Sequence, residues 1–244
     1  MLPNYFDTDV AEQYDDPADE MFSPEVLGPT VELLADLAGA RPVLELAIGT
    51  GRVALPLSER GVRVQGIELS EAMVERLRAK PGAERIDVAI GDMSTTRLDE
   101  RFGLVYLVFN TIGNVTTQDG QVAVFENAAA HLEPGGRFLV ETLVPVVRRL
   151  PAGERFVVFD HTDQHVGIDE YDVATQQTWS HHYSSTDGET YHRRSIPFRY
   201  TWPAELDLMA RIAGLHLEHR WADWDRRAFT AESPRHVSVW VKPG

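Results

Sequence analysis

Residues 43–57, VLELAIGTGRVALPL, constrain the fold more than any other stretch. An apolar run containing Glu45 passes through Ala47, Gly49 and Gly51 and gives way to a helical stripe of Val53 and Leu57. A buried strand that turns through small residues into a helix is the opening unit of a wound α/β sheet. Small residues let the backbone come close to a ligand, and the helix that follows aims its free N–H groups at the same point. Pro56 sits near the first turn of that helix, where proline costs least.

The rhythm continues downstream. GVRVQGIEL reads as a second strand, and Ser70 caps a helix over SEAMVERLRAK. RIDVAIGD is a third strand. RFGLVYLVFN, apolar on both faces, has the look of a central parallel strand covered by helices on each side. Gln118 to Leu132 is a helix, and GGRFLVETLV is the fifth strand. This order predicts an α/β fold with a doubly wound, mostly parallel sheet, whose ligands bind beyond the strand carboxyl ends. Residues 151–200 break the pattern. They read as four antiparallel strands with polar turns, a β-rich insertion. A helix from Pro203 and two closing strands complete seven strands in the main sheet.

Composition removes several classes of function. With 38 acids against 23 Lys and Arg the net charge is −15, and no dense basic run occurs, so nucleic acid is not expected as a partner. Residues 1–40 hold ten of those acids and no Lys or Arg, which reads as a solvated face or an acidic lid over a site for a cationic ligand. No apolar run is long enough to cross a bilayer. The first residues lack a basic start and an apolar core, so a cytoplasmic protein is expected. Without cysteine there are no thiolate sites, and the five histidines of the insertion lack a helical pairing, so no metal is expected.

Glu45 and the third strand identify the ligand. Gly49-x-Gly51-x-x-Ala54 fits a dinucleotide fingerprint, with Glu68 at the spacing of a ribose-binding acid. A carboxylate at Glu45, however, repels a pyrophosphate and attracts an amino-acid ammonium. Asp92, in Gly91-Asp92-Met93, can accept from an adenine amine while Met93 packs on the ring. These residues describe a ligand with an amino-acid tail, a ribose and an adenine.

ELAIGTGR, GIELSEAM, GDM, the strand ending in FNT and HLEPGGRFLVE together resemble a class I S-adenosylmethionine-dependent methyltransferase, over residues 41–145. The resemblance implies that Glu45, Ala47, Gly49 and Gly51 hold the methionine part of S-adenosyl-L-methionine. It further implies that Glu68 holds the ribose, that Asp92 holds the adenine amine, and that Leu69, Met73 and Met93 cover the ring. Ala47 departs from the glycine most common in the family. Beyond the core the chain is similar to bacterial small-molecule enzymes, including aminosugar methyltransferases. That similarity implies four parts: a helical lid over 1–40, a cofactor-binding core over 41–150, an acceptor-side insertion over 151–200 and closing elements over 201–244. The expected function is transfer of a methyl group to N or O of a small metabolite, by a monomer or homodimer. The rivals are an NAD-dependent oxidoreductase and a protein that binds S-adenosylmethionine without catalysis.

Other residues have both a chemical and a structural reading. Arg52 can pair with the cofactor carboxylate or lie on the helix surface. Phe109 and Tyr14 can face the sulfonium or serve packing. Glu141, at the end of the fifth strand, is a candidate base, as is His131, which can equally stabilise a helix C-terminus. Asn110, with Asn114, can orient an acceptor. Arg199 can enter the acceptor pocket from the insertion.

Overall fold

The computed structural model describes residues 21 and 23–244. Helix α1 spans Pro24–Ala38, with the Ser23 hydroxyl accepting from the Val26 N–H. The core then runs β1 (Val43–Leu46), α2 (Ala54–Glu59), β2 (Val64–Glu68), α3 (Glu71–Arg78), β3 (Asp87–Ile90), β4 (Phe102–Leu107), α4 (Gln118–His131) and β5 (Leu132–Leu143). The insertion supplies β6 (Phe156–His161), β7 (His165–Asp172), β8 (Gln177–Ser184) and β9 (His192–Arg199). Helix α5 (Pro203–Ile212) and strands β10 (His216–Trp221) and β11 (Arg235–Val241) close the chain.

The main sheet has seven strands in the order β10-β11-β5-β4-β1-β2-β3. Strands β5, β4, β1, β2 and β3 are parallel, while β11 runs antiparallel to β5 and β10 antiparallel to β11. Every residue of β1 and β4 is buried, as expected for the two central strands. The chain leaves β1 toward β2 and β3, then returns to the other side as β4. The direction of winding therefore reverses between β1 and β4, which opens a crevice at their carboxyl ends. Ser70 and Thr117 cap α3 and α4 by accepting from the Met73 and Gly120 N–H groups. On one face of the sheet Phe125, Phe138 and Trp240 pack edge-on or tilted, with Phe125 centroids 5.0 and 5.2 Å from the other two.

The insertion forms its own antiparallel sheet, β6-β7-β8-β9. Its base is tied to the core by a buried polar network. Arg199, 5% exposed, donates to Gln121 Oε1 of α4 at 2.6 Å, Gln176 Oε1 at 3.1 Å and Glu205 Oε1 of α5 at 2.7 Å. Gln121 returns its amide N–H groups to the carbonyls of Ile112 and Arg199. Arg199 thus joins three elements, and its charge is already matched by Glu205 rather than offered to a ligand. Burial pushes the Glu205 carboxyl up, but donors from Gln176, Arg199 and Gln118 outweigh it and hold the group below its usual range.

A carboxyl with a depressed folded value stabilises the fold above its unfolded value, about 4.3, and loses that contribution as pH falls through the folded value. Arg199→Ala leaves Glu205 and Gln121 without their partner and should cost about 3 kcal/mol in denaturant unfolding at pH 7. The gap between variant and wild type should narrow as pH drops below about 4.

Candidate active site

The crevice between β1 and β4 gathers most of the residues singled out from the sequence. Glu45 of β1 lies between Gly66 of β2 and Tyr106 of β4 in register. It is 3% exposed, and the Tyr106 hydroxyl donates to its Oε2 at 2.8 Å. Burial pushes the Glu45 carboxyl up to about 8, against the pull of Tyr106 and the Arg52 charge. A buried carboxyl with so high a value is stabilised as an anion only when a further cation arrives.

The loop after β1 is a series of left-handed residues: Ala47 at φ 54°, Gly49 at 59° and Gly51 at 82°. Alanine at such an angle costs roughly 1–2 kcal/mol, which explains why glycine is the commoner choice there. The loop lies close on β2, because a Cβ on Gly66 would come within 2.6 Å of the Ile48 side chain. Glu68 fixes this geometry. Its Oε2 accepts from the Gly49 N–H and its Oε1 from the Ser70 N–H, both at 2.8 Å. Burial raises the Glu68 carboxyl, partly offset by these backbone donors. Each oxygen retains a lone pair for a ligand hydroxyl. Lys80 adds a bond from Nζ to the Thr50 carbonyl at 2.7 Å.

Beyond β3, Asp92 holds its own turn. Its Oδ1 accepts from the Ser94 N–H and hydroxyl at 2.8 and 2.7 Å, while Oδ2 has no hydrogen bond among the described residues. Leu69 and Met93 are half-buried and can cover a ring. Met73, at 2% exposure, belongs to the core and offers no such surface, which corrects that expectation. Tyr14 lies outside the described residues, as does much of the expected lid.

The exit of β4 is strained in two successive residues. Phe109 and Asn110 have φ of 61° and 55°, in the left-handed region that favours glycine. The end of β5 holds them there. Glu141 Oε2 accepts from the Phe109 N–H at 2.5 Å, and Asn110 Oδ1 accepts from the Thr142 hydroxyl at 2.6 Å and the Leu143 N–H at 3.2 Å. The Phe109 ring is consequently 45% exposed and not a core residue. The Arg52 guanidinium sits 4.8 Å from its centroid. Arg52 also donates to the Met21 carbonyl at 3.3 Å, and its charge acts on both Glu45 and Glu141. Burial raises the Glu141 carboxyl against those opposing charges.

Arg52, Phe109, Asn110, Asn114 and Glu141 line one cavity of about 660 Å³. A second, of about 590 Å³, lies toward the insertion and shares Phe109, Asn110, Leu143 and Phe198 with the first. His131 is in neither. Its Nε2 accepts from the Leu98 N–H at 2.9 Å and its Nδ1 faces the Asn127 carbonyl at 2.8 Å, with the ring fully buried. Both nitrogens are spent on backbone, and burial lowers the ring below its usual range, so His131 is a structural residue and not a base.

Tyr106 and Lys80 were missed in the sequence. A tyrosine in register beside a buried acid was the available signal for the first. Asp223, Trp224 and Arg235, from the β10–β11 connection and β11, also line the first cavity. Nothing local in their segments marks them.

The carboxylates at three neighbouring strand ends, a glycine loop and a buried acid awaiting a cation fit S-adenosylmethionine. Glu45 would hold its ammonium, Glu68 its ribose and Asp92 its adenine amine. A pyrophosphate brings no cation to Glu45, so the dinucleotide rival fits less well. Residues 43–136 match the family model described as a methyltransferase domain. The structure resembles the CcbJ methyltransferase of Streptomyces caelestis, with 37% identity, 97% of this chain and 96% of that one covered, and a TM-score of 0.84. The chain belongs to the S-adenosylmethionine-dependent methyltransferases of the class I fold. Within them it is 33% identical over 114 residues to the dTDP-3-amino-3,4,6-trideoxy-alpha-D-glucopyranose N,N-dimethyltransferase of Streptomyces venezuelae. That match spans 44% of this chain and 47% of the relative. A SAM-bound amino pentose methyltransferase from Micromonospora echinaspora shares the fold at 19% identity, with 98% of this chain and 99% of that one covered and a TM-score of 0.69.

A ligand ammonium beside Glu45 requires the anion. Below pH 8 the ligand-free group is mostly protonated, so binding must expel its proton, and affinity should rise as pH rises toward 8. Calorimetry at pH 6.5 in buffers of different ionisation enthalpy should show close to one proton released per S-adenosylmethionine bound. Glu45→Gln should abolish the release and weaken binding.

Proposed function

We propose that this chain moves a methyl group from S-adenosylmethionine to an amine of a small metabolite, an aminosugar being the acceptor that fits best. One observation carries the choice of acceptor. Asn114 lines the first cavity, and its Oδ1, shielded from solvent behind that wall, has no hydrogen-bond partner among the described residues. An unmet acceptor of this kind costs roughly 1–3 kcal/mol and is relieved only by a donor. Amines and hydroxyls bring an N–H or O–H, whereas carboxylates and phosphates bring none. Glu25, Glu141, Asp223 and Asp225 line the same cavity against Arg52, Arg227 and Arg235, four acids to three bases, with Arg227 paired to Asp223 and Asp225. An excess of one acid favours a cationic or neutral acceptor over an anionic one. The curated aminosugar relatives support the same class of acceptor, although the chain spans about half the length of those it matches.

When bound, S-adenosylmethionine supplies a methyl carbon on a sulfonium, which the acceptor's lone pair displaces in line. The residues of this chain align and enclose that displacement. Glu45, Glu68 and Asp92 fix the cofactor end. The Arg52 guanidinium lies over the exposed Phe109 ring, so the cation this π face holds is Arg52, beside the crevice. Asn110 is held by Thr142 and Leu143 with its amide nitrogen left for the acceptor. Glu141, buried and raised, lines the first cavity and can accept a hydrogen bond from the acceptor's N–H there.

Assay of amines, free and nucleotide-linked aminosugars, hydroxyl sugars and carboxylates for S-adenosylhomocysteine release should give turnover with amine-bearing acceptors. Asn114→Leu should raise KM for them. Turnover confined to carboxylates or to phosphorylated acceptors without an amine contradicts the reading. Tight cofactor binding with no turnover on any acceptor favours the non-catalytic rival.

A further inference from the structure

The second cavity carries a chain of titratable groups that leads from its wall to solvent. Asp169, Tyr171, Ser180 and His182 line it, on the face of the insertion sheet that looks toward the core. Asp169 accepts from the Tyr171 hydroxyl at 3.3 Å and stands opposite Ser180 in register, within reach of its hydroxyl. Ser180 Oγ lies 3.3 Å from His182 Nε2. His182 Nδ1 lies 3.0 Å from His165 Nε2, and His165 Nδ1 lies 2.5 Å from Asp160 Oδ2. The Asp160 side chain is 43% exposed, so the chain of bonds ends in water. Phe159 covers both imidazoles, with centroids 6.4 and 5.4 Å away.

We propose that Asp169, Ser180, His182, His165 and Asp160 form a proton wire that carries the proton lost by the acceptor out of the second cavity to solvent. The proposal rests on the methyl-transfer reading above, since an amine that gains a methyl group must shed a proton. The wire has two arrangements that differ by one proton. In the empty one, ionised Asp160 accepts from Nδ1–H of His165, whose bare Nε2 accepts from Nδ1–H of His182. The bare Nε2 of His182 then accepts from the Ser180 hydroxyl. In the loaded one, Ser180 has given its hydroxyl proton to His182 Nε2 and taken another from the cavity, and His182 has passed its Nδ1 proton to His165. The cation rests on His165 beside Asp160, His182 is neutral again with its proton at Nε2, and the Ser180 hydroxyl turns to Asp169. Release from His165 Nδ1 through Asp160 to water leaves both imidazoles with their proton on Nε2, and each regains the Nδ1–H form by exchanging that proton with water, one out and one in, so the cycle moves a single proton. No atom other than the proton leaves.

The surroundings suit this transfer. Burial and the charges of His165, Arg194 and His181 lower His182, so it stands neutral and able to accept near pH 7. Arg194 faces it across β9, Gly167 across β7, and His181 with Glu170 lies on the opposite face of the sheet. Both His165 and His161 act on Asp160 and hold its carboxyl below the usual range. The exit end is thereby kept ionised. Asp169, pushed up by burial, marks the cavity end.

The wire predicts that His182 switches tautomer, from Nδ1–H to Nε2–H, when His165 gains its proton, without itself becoming charged. Histidine-selective ¹⁵N NMR of the full chain, titrated from pH 9 to 5 and assigned with His165→Gln and His182→Gln, reads this directly and needs no acceptor. Asp160→Asn should uncouple the two rings. His182→Gln should lower kcat for the amine acceptor about 10²-fold with a smaller change in KM, while S-adenosylhomocysteine binding stays within about twofold of wild type. A His182 that holds one tautomer throughout, a switch that survives Asp160→Asn, or an unchanged kcat overturns the wire. Absence of cofactor binding in the wild type overturns instead the reading on which it rests.

Discussion

The Glu68 carboxylate is the interaction on which the site depends. Its two oxygens accept from Gly49 and Ser70, so one side chain ties the glycine loop after β1 to the first turn of α3. Without it the loop would have to hold three left-handed residues, one of them alanine, against solvent alone. The bare Gly66 lets that loop settle on β2, and Lys80 pins its far side. A parallel sheet delivers the remaining groups, because every strand in it ends on the same edge. Glu45, Asp92, Phe109 and Glu141 thus converge although they come from four different strands or strand ends.

The second constraint is the joint at the insertion. Arg199, Gln121, Gln176 and Glu205 leave no buried charge unmatched where the small sheet meets α4 and α5. Gln177 adds a bond to the Thr116 carbonyl at 2.7 Å. Fixing the base of the small sheet fixes the wall it presents to the crevice. That wall completes the second cavity, and it places His182 and Asp169 over the same edge of the main sheet that carries the carboxylates.

The core fold was legible because its signals are local. Apolar runs, the capping Ser70 and glycine turns announce the elements, and their order dictates a wound sheet. The antiparallel character of 151–200 was readable from alternation for the same reason. Residues at strand ends could be named as a set, since in a parallel sheet sequence position fixes the edge. What the sequence withheld is partner choice. His131 looked like a candidate base, but its role is set by Leu98, 33 positions away. Arg199 does line the second cavity, as its place beside Phe198 and Tyr200 allowed, yet its charge is spent on Gln121, Gln176 and Glu205. Met73 has the spacing of a helix face and turned out to be core. The residues of the β10–β11 connection reach the first cavity only through the fold of the whole chain.

The central claim is that three carboxylates on neighbouring strands divide one cofactor among them. A crystal structure with S-adenosylhomocysteine bound measures it most directly. The account predicts the ribose hydroxyls within hydrogen-bond distance of Glu68, the amino group beside Glu45 and the adenine amine at Asp92. A ribose held elsewhere, or an amino group that avoids Glu45, would contradict it.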